Sequence, residues 1–146
     1  MPVEDGATWD DTYPGIVRGW GLFVGTLQYL VNRVGALGRA TEVRLGKIAP
    51  GAWQRVLASL GMEGTPPPGF TAELRAWAAE VLVSVDDYSL LLAFGDEATL
   101  LIDVEGDSLY TVAATYGDAS PQRAELLQGL AALAEDACRA AGLPAD

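Results

Sequence analysis

Apolar residues recur at helical spacing in the first quarter of the chain. Ile16, Trp20, Phe23, Leu27, Leu30 and Val34 follow alternating steps of four and three, which places their side chains on one face of an α-helix. The pattern predicts a helix over residues 13–37, capped by Asp11 or Thr12, with Pro14 in its first turn. Gly15, Gly19, Gly21 and Gly25 fall inside it. Each costs about 1 kcal/mol against alanine in a helix, so the helix is expected to lie close against another backbone; a strand or loop for its first half is the alternative. Residues 42–48 alternate loosely, with Val43, Leu45 and Ile48 apolar, and read as a short strand or a connector. Pro50 opens a second helix carrying Trp53, Val56, Leu57 and Leu60 on one face, and Gly61 ends it. Residues 64–69 contain three consecutive prolines and form a stiff loop. Thr71 is the expected cap of a third helix carrying Leu74, Trp77 and Ala78.

From Val81 onward the period changes to two. Val81, Val83 and Val85 alternate with other residues, and three apolar runs follow at 88–94, 98–104 and 109–116, separated by Gly/Asp/Glu-rich breaks. Short runs between such breaks are hairpin chemistry and predict an antiparallel meander of three or four strands. Ser120-Pro121 then supplies an N-cap and a first-turn proline. The last helix is expected to reach about residue 141, with Leu127, Leu130, Ala131, Ala134 and Cys138 on its apolar stripe and Gly142 as its stop. The expected fold is α+β in two layers, with helices on one face of the meander, in the order α-α-α-β-β-β-β-α. Residues 1–146 are read as a single globular domain, with 1–12 as a flexible or folded-back arm.

Composition agrees with a domain that builds its own core. Half of the 146 residues are apolar despite a net charge of −11, which argues against disorder. Cys138 is the single cysteine, so no disulfide forms within the chain, as suits a reducing compartment. Residues 1–12 are acidic and polar, unlike a signal peptide. The longest uncharged stretch, 19–32, has fourteen residues, which is short for a membrane span. These features point to the cytoplasm. Eight arginines against one lysine hint at a GC-rich bacterial genome.

The charges are unevenly distributed. Residues 18–75 carry seven bases and three acids, whereas 76–122 carry nine acids and no base. Many of these acids sit at expected turns, where aspartate caps local backbone and keeps the surface solvated. The same carboxylates can form a negative face that attracts and steers a basic partner. Such a face repels DNA, RNA and anionic lipid, so neither a nucleic-acid nor a membrane partner is expected.

Candidate chemistry is sparse. There is no histidine, which removes the commonest general base, metal ligand and pH switch together. Asp103-Val104-Glu105-Gly106-Asp107 superficially resembles a calcium loop but lacks the glycine position and distal glutamate of an EF-hand, so a hairpin turn is preferred. Asp10-Asp11 and Asp86-Asp87 have no further ligands in a motif. Cys138 reads as a buried, inert thiol. The Gly-x-Ser-x-Gly elbow, the Walker loop and the dinucleotide fingerprint are all absent. No cofactor, metal or catalytic residue is therefore assigned.

The resulting expectation is a non-enzymatic, acidic protein-binding domain that neutralises or escorts a basic protein, as immunity proteins, antitoxins, inhibitors and secretion chaperones do. The expected contact residues are Trp9, Asp10, Asp11, Asp86, Asp87, Asp96, Glu97, Asp103, Glu105 and Asp107. Trp9 is included because an exposed tryptophan beside carboxylates suits an interface anchor. The alternative is a small-molecule-binding domain or cofactor-free enzyme with an aromatic and carboxylate pocket, in which a buried Asp103 or Asp86 would serve as base. A homo-oligomer, in which the basic segment of one copy meets the acidic segment of another, is a third reading.

Overall fold

A computed structural model describes residues 39–85, 88–117 and 120–142. Its elements are β1 (Arg39–Lys47), α1 (Trp53–Ser59), β2 (Thr71–Leu74), β3 (Trp77–Val85), β4 (Ser89–Phe94), β5 (Ala98–Glu105), β6 (Ser108–Tyr116) and α2 (Pro121–Ala141). The six strands form one antiparallel sheet in the order β1-β6-β5-β4-β3-β2. Strands β2 to β6 are a continuous meander. The first strand instead crosses to the far side and pairs with the last, Arg39 opposite Tyr116 and Lys47 opposite Ser108.

The helical and strand signals fared differently. All four expected strands are present, and α2 begins and ends as expected. Ser120 accepts a hydrogen bond from the Arg123 amide at 3.1 Å, Pro121 occupies the first turn and Gly142 caps the end. The second expected helix is α1. Its cap residue Ala52 contributes no side-chain bond, and seven residues are too few for a helix to persist alone in water. Burial of Trp53, Val56 and Leu57 holds it, and a Schellman pattern closes it, with Gly61 N–H donating to Ala58 O and Met62 N–H to Leu57 O, both at 2.9 Å. The first expected helix, over 13–37, lies outside the described residues.

One open choice is resolved and one expectation is corrected. Of the two readings for residues 42–48 the strand holds: residues 42–47 belong to the nine-residue β1, and Ile48 follows it. The third helix does not exist: Thr71–Leu74 and Trp77–Val85 are strands of a hairpin. Leu74 and Trp77 are three apart, which suits one helix face, but they are also cross-strand partners around a two-residue loop. Arg75 adopts φ 57 there, a left-handed geometry that turns the chain back. The sheet consequently has six strands where three or four were expected, and two helices are described.

Both helices pack on one face of the sheet. Leu90, Leu92, Leu100, Ile102 and Leu109 point from the central strands into a core shared with Trp53, Val56, Leu57, Leu126, Leu130 and Leu133. Each such side chain, fully removed from water, contributes about 1.5–3 kcal/mol. The buried stripe of α2 includes Leu126, Leu133, Ala137 and Ala141, while Leu127 and Cys138 are only half-buried, so the helix is rotated slightly from the expected stripe. Strand β4, Ser-Leu-Leu-Leu-Ala-Phe, is buried on both faces, which explains its uninterrupted apolar run. Among the described residues, no helix is long and apolar enough to cross a membrane.

Trp77 packs end-on against α2 at Gly129. A Cβ at that glycine would overlap the Trp77 ring at Cη2, so the missing side chain is a packing requirement. Gly129→Ala is expected to lower stability by about 1–2 kcal/mol through overpacking, although alanine by itself favours a helix by about 1 kcal/mol. In a Trp77→Leu background the same substitution should become neutral or stabilising. Thermal melts of the four proteins test this, and equal losses in both backgrounds would refute the contact.

Candidate functional site

Strand alternation divides the sheet into two chemically distinct faces. Odd-numbered residues of β1 and β5 and even-numbered residues of β6 point away from the helices. On that distal face the register lines up Val85, Ser89, Asp103, Tyr110 and Leu45 in one row across five strands. Asp103 sits at its centre and is 0% exposed. Ser89 Oγ–H donates to Asp103 Oδ1 at 2.6 Å, a short, charge-assisted bond. Tyr110 presents its hydroxyl to the same carboxylate without closing a bond of good geometry, and Oδ2 has no hydrogen-bond partner among the described residues. Burial first, then contact with Asp103 and the negative charges of Asp103 and Glu105, push the Tyr110 phenol well above its ordinary 10.0.

Further along the row, burial gives way to exposure. Leu45 is 75% exposed and Val43 is 65% exposed, beside half-buried Tyr110 and Val112 on β6. Glu105 ends β5 on the same face, and Asp107 follows in the turn to β6, both exposed. Lys47 Nζ reaches Asp107 Oδ2 at 3.3 Å. The result is an apolar patch with a carboxylate rim at one corner of the sheet.

The expected contact residues do not form one surface. Asp96 and Glu97 are exposed in the β4–β5 turn, whereas Glu105 and Asp107 lie at the opposite end of the sheet. The eight residues of β5 separate the two groups by roughly 25 Å at strand rise. Glu97 is 4.0 Å from the Arg123 guanidinium. Asp103, being buried, takes no part in an exposed acidic face; an aspartate inside the apolar run 98–104 was the sequence signal of this. Ser89 and Tyr110 were not singled out from the sequence, because their relation to Asp103 depends on strand register. Val43 and Leu45 were recognised only as apolar alternation. Trp9, Asp10, Asp11, Asp86 and Asp87 lie outside the described residues.

Two other features have chemical potential. Cys138 stands beside Thr111 and Gly46 on the helical side of the sheet. Burial pushes its thiol above 9.0, with Glu135 adding to the rise and Thr111 and Arg44 opposing it, which disfavours the nucleophilic thiolate. Between α1 and the β5–β6 turn lies an open cleft of about 470 Å³, bordered by Ile48, Pro50, Trp53, Val104 and Asp107.

No protein-family model matches the chain, and neither a characterised protein nor a solved structure matches it.

The buried row makes two predictions. Ser89→Ala removes the donor to Asp103 Oδ1 and should cost about 1.5–3 kcal/mol, the range for a bond to a charged group; denaturant titration measures it. Tyr110 favours its protonated form in the folded state, so its contribution is intact below pH 10.0 and declines as pH rises above that value. Tyr110→Phe should therefore flatten part of the alkaline loss of stability. Superimposable wild-type and Tyr110→Phe stability curves above that pH would contradict it.

Proposed function

We propose that this is a non-enzymatic binding domain that neutralises or escorts a basic protein partner in the bacterial cytoplasm, in the manner of an immunity protein, antitoxin, inhibitor or secretion chaperone. The observation that carries this reading is the corner patch of β1, β5 and β6. Val43 and Leu45 are large apolar side chains left in solvent, and Glu105 and Asp107 edge them. Interfaces combine an apolar centre that loses its water with a polar rim that selects the partner. Here the rim holds Glu105 and Asp107, the latter paired with Lys47, and the whole chain carries a net charge of −11, so a partner presenting an apolar anchor with a net excess of arginine or lysine is complementary in both respects. Opposite charge would also accelerate encounter and weaken as salt rises.

A second reading is supported by the cleft at α1, whose border includes an aromatic residue, Trp53, and a carboxylate, Asp107. Those are the groups expected of a small-molecule pocket with one oriented polar contact.

Capture of partners by the tagged full-length chain from its own host's lysate, at low and high salt, separates the readings. The protein-binding reading expects a stoichiometric basic partner that leaves as salt rises and whose affinity falls about tenfold or more with Leu45→Asp or Glu105→Lys. An empty bait, or a partner indifferent to both substitutions, refutes it. A small-molecule pocket would instead appear as a ligand that raises the melting temperature of wild type but not of Asp107→Ala.

A further inference from the structure

β1 is a nine-residue edge strand, and among the described residues no strand pairs with its outer side. Long edges bearing apolar side chains are templates for pairing with another strand, and natural sheets usually blunt them with prolines, bulges or inward charges. This edge has no proline and follows one unbroken register against β6.

The backbone groups offered outward can be assigned. Ile48 N–H donates to Asp107 O at 2.9 Å, and this pair continues the register in which Lys47 faces Ser108. Hydrogen-bonded and non-hydrogen-bonded pairs alternate along an antiparallel ladder. The amides and carbonyls of Glu42, Arg44 and Gly46 therefore point toward β6. Those of Thr41, Val43, Leu45 and Lys47 point to the open edge.

We infer that two copies of this chain pair through β1, antiparallel and centred on Val43, to make one continuous sheet. Charge selects both the occupant and the register. Outward groups lie on odd-numbered residues, so a two-fold pairing matches odd with odd and even with even. Centring on residue 42 sets Glu42 against Glu42, and centring on residue 44 sets Arg44 against Arg44. Centring on Val43 sets Glu42 of each copy against Arg44 of the other, twice, and Val43 against Val43 on the distal face. The Glu42–Arg44 pairs fall at non-hydrogen-bonded positions, where facing side chains come closest.

Both members are accessible for this contact. Glu42 is exposed and makes no ion pair among the described residues. Arg44 keeps 41% of its side chain exposed, and its Nη2 is only loosely engaged, 4.0 Å from Glu135. The register also brings position 39 opposite Lys47 at the strand ends. The inference stands independently of the partner reading. A dimer would place two corner patches side by side on one face, and a monomer would leave the edge to a strand from a different protein.

Sedimentation equilibrium of the full-length chain, from about micromolar to about millimolar concentration, tests the inference, because small interfaces associate weakly. Wild type should show a monomer–dimer equilibrium. Glu42→Arg and Arg44→Glu should each weaken it about tenfold, from two lost attractions and two new repulsions. The Glu42→Arg/Arg44→Glu double variant restores the complementarity and should recover dimerisation. A wild type that stays monomeric throughout overturns the inference, as does a dimer indifferent to the single substitutions or not rescued by the double one. Circular dichroism of each variant establishes that it is folded, and the rescue arm separates lost association from lost structure.

Discussion

Pairing of β1 with β6 joins strand ends far apart in the sequence, Lys47 opposite Ser108, and the other features follow from that closure. Every other strand pair in the sheet is a hairpin between neighbours in sequence. The cost of closing a long loop rises only slowly with its length, but it must be met before any of the pair's hydrogen bonds form, so this step is the natural bottleneck in folding. Once β1 is seated, α1 is carried beneath the sheet. The amide of Ala49 then reaches the carbonyl of Ala141 at 2.9 Å, tying the start of the chain's described part to the end of α2. The same pairing leaves β1 at the border of the sheet, which puts Val43 and Leu45 in water.

The two faces of the sheet carry different chemistry because the central strands have two different sets of neighbours. Toward the helices, leucines, isoleucine and valine interdigitate with α1 and α2, and the half-buried Cys138 thiol is held back from ionising by burial. Away from them, the buried cluster is small, with Ala93, Ala114, Tyr116 and Leu82, and a polar row runs through Ser89, Asp103 and Tyr110. A buried carboxylate is tolerated only with donors, and Ser89 supplies one at 2.6 Å. This row orders three central strands relative to one another, since a one-residue slip of any of them would separate Asp103 from its donor.

Surface ion pairs temper the acidity that the composition suggests. Glu135 and Asp136 engage Arg139, and Asp136 also engages Arg75. Exposed pairs of this kind add little stability, but they neutralise carboxylates that would otherwise extend a negative face. At the two ends of β5, Glu97 and Asp107 likewise each lie beside a base, Arg123 and Lys47.

The sequence by itself determined four of the meander's five strands, α1 and α2, and the caps of α2. In each of these, local chemistry and burial agree: alternation between Gly/Asp turns makes hairpins, and Ser-Pro starts a helix. The sequence left Asp103 open, as an exposed contact or, in the alternative reading, a buried base; the structure buries it. Only the tertiary structure decided the rest. Leu74 and Trp77 fit a helix face and a two-residue hairpin equally well, and the structure takes the hairpin. Residues 42–48 read as a short strand or a connector because much of β1 faces water, so its hydrophobic period is incomplete; its partner, β6, lies far along the chain. Which carboxylates gather, which are neutralised and which apolar side chains stay exposed depend on strand order, and strand order is set by non-local pairing that no local pattern encodes.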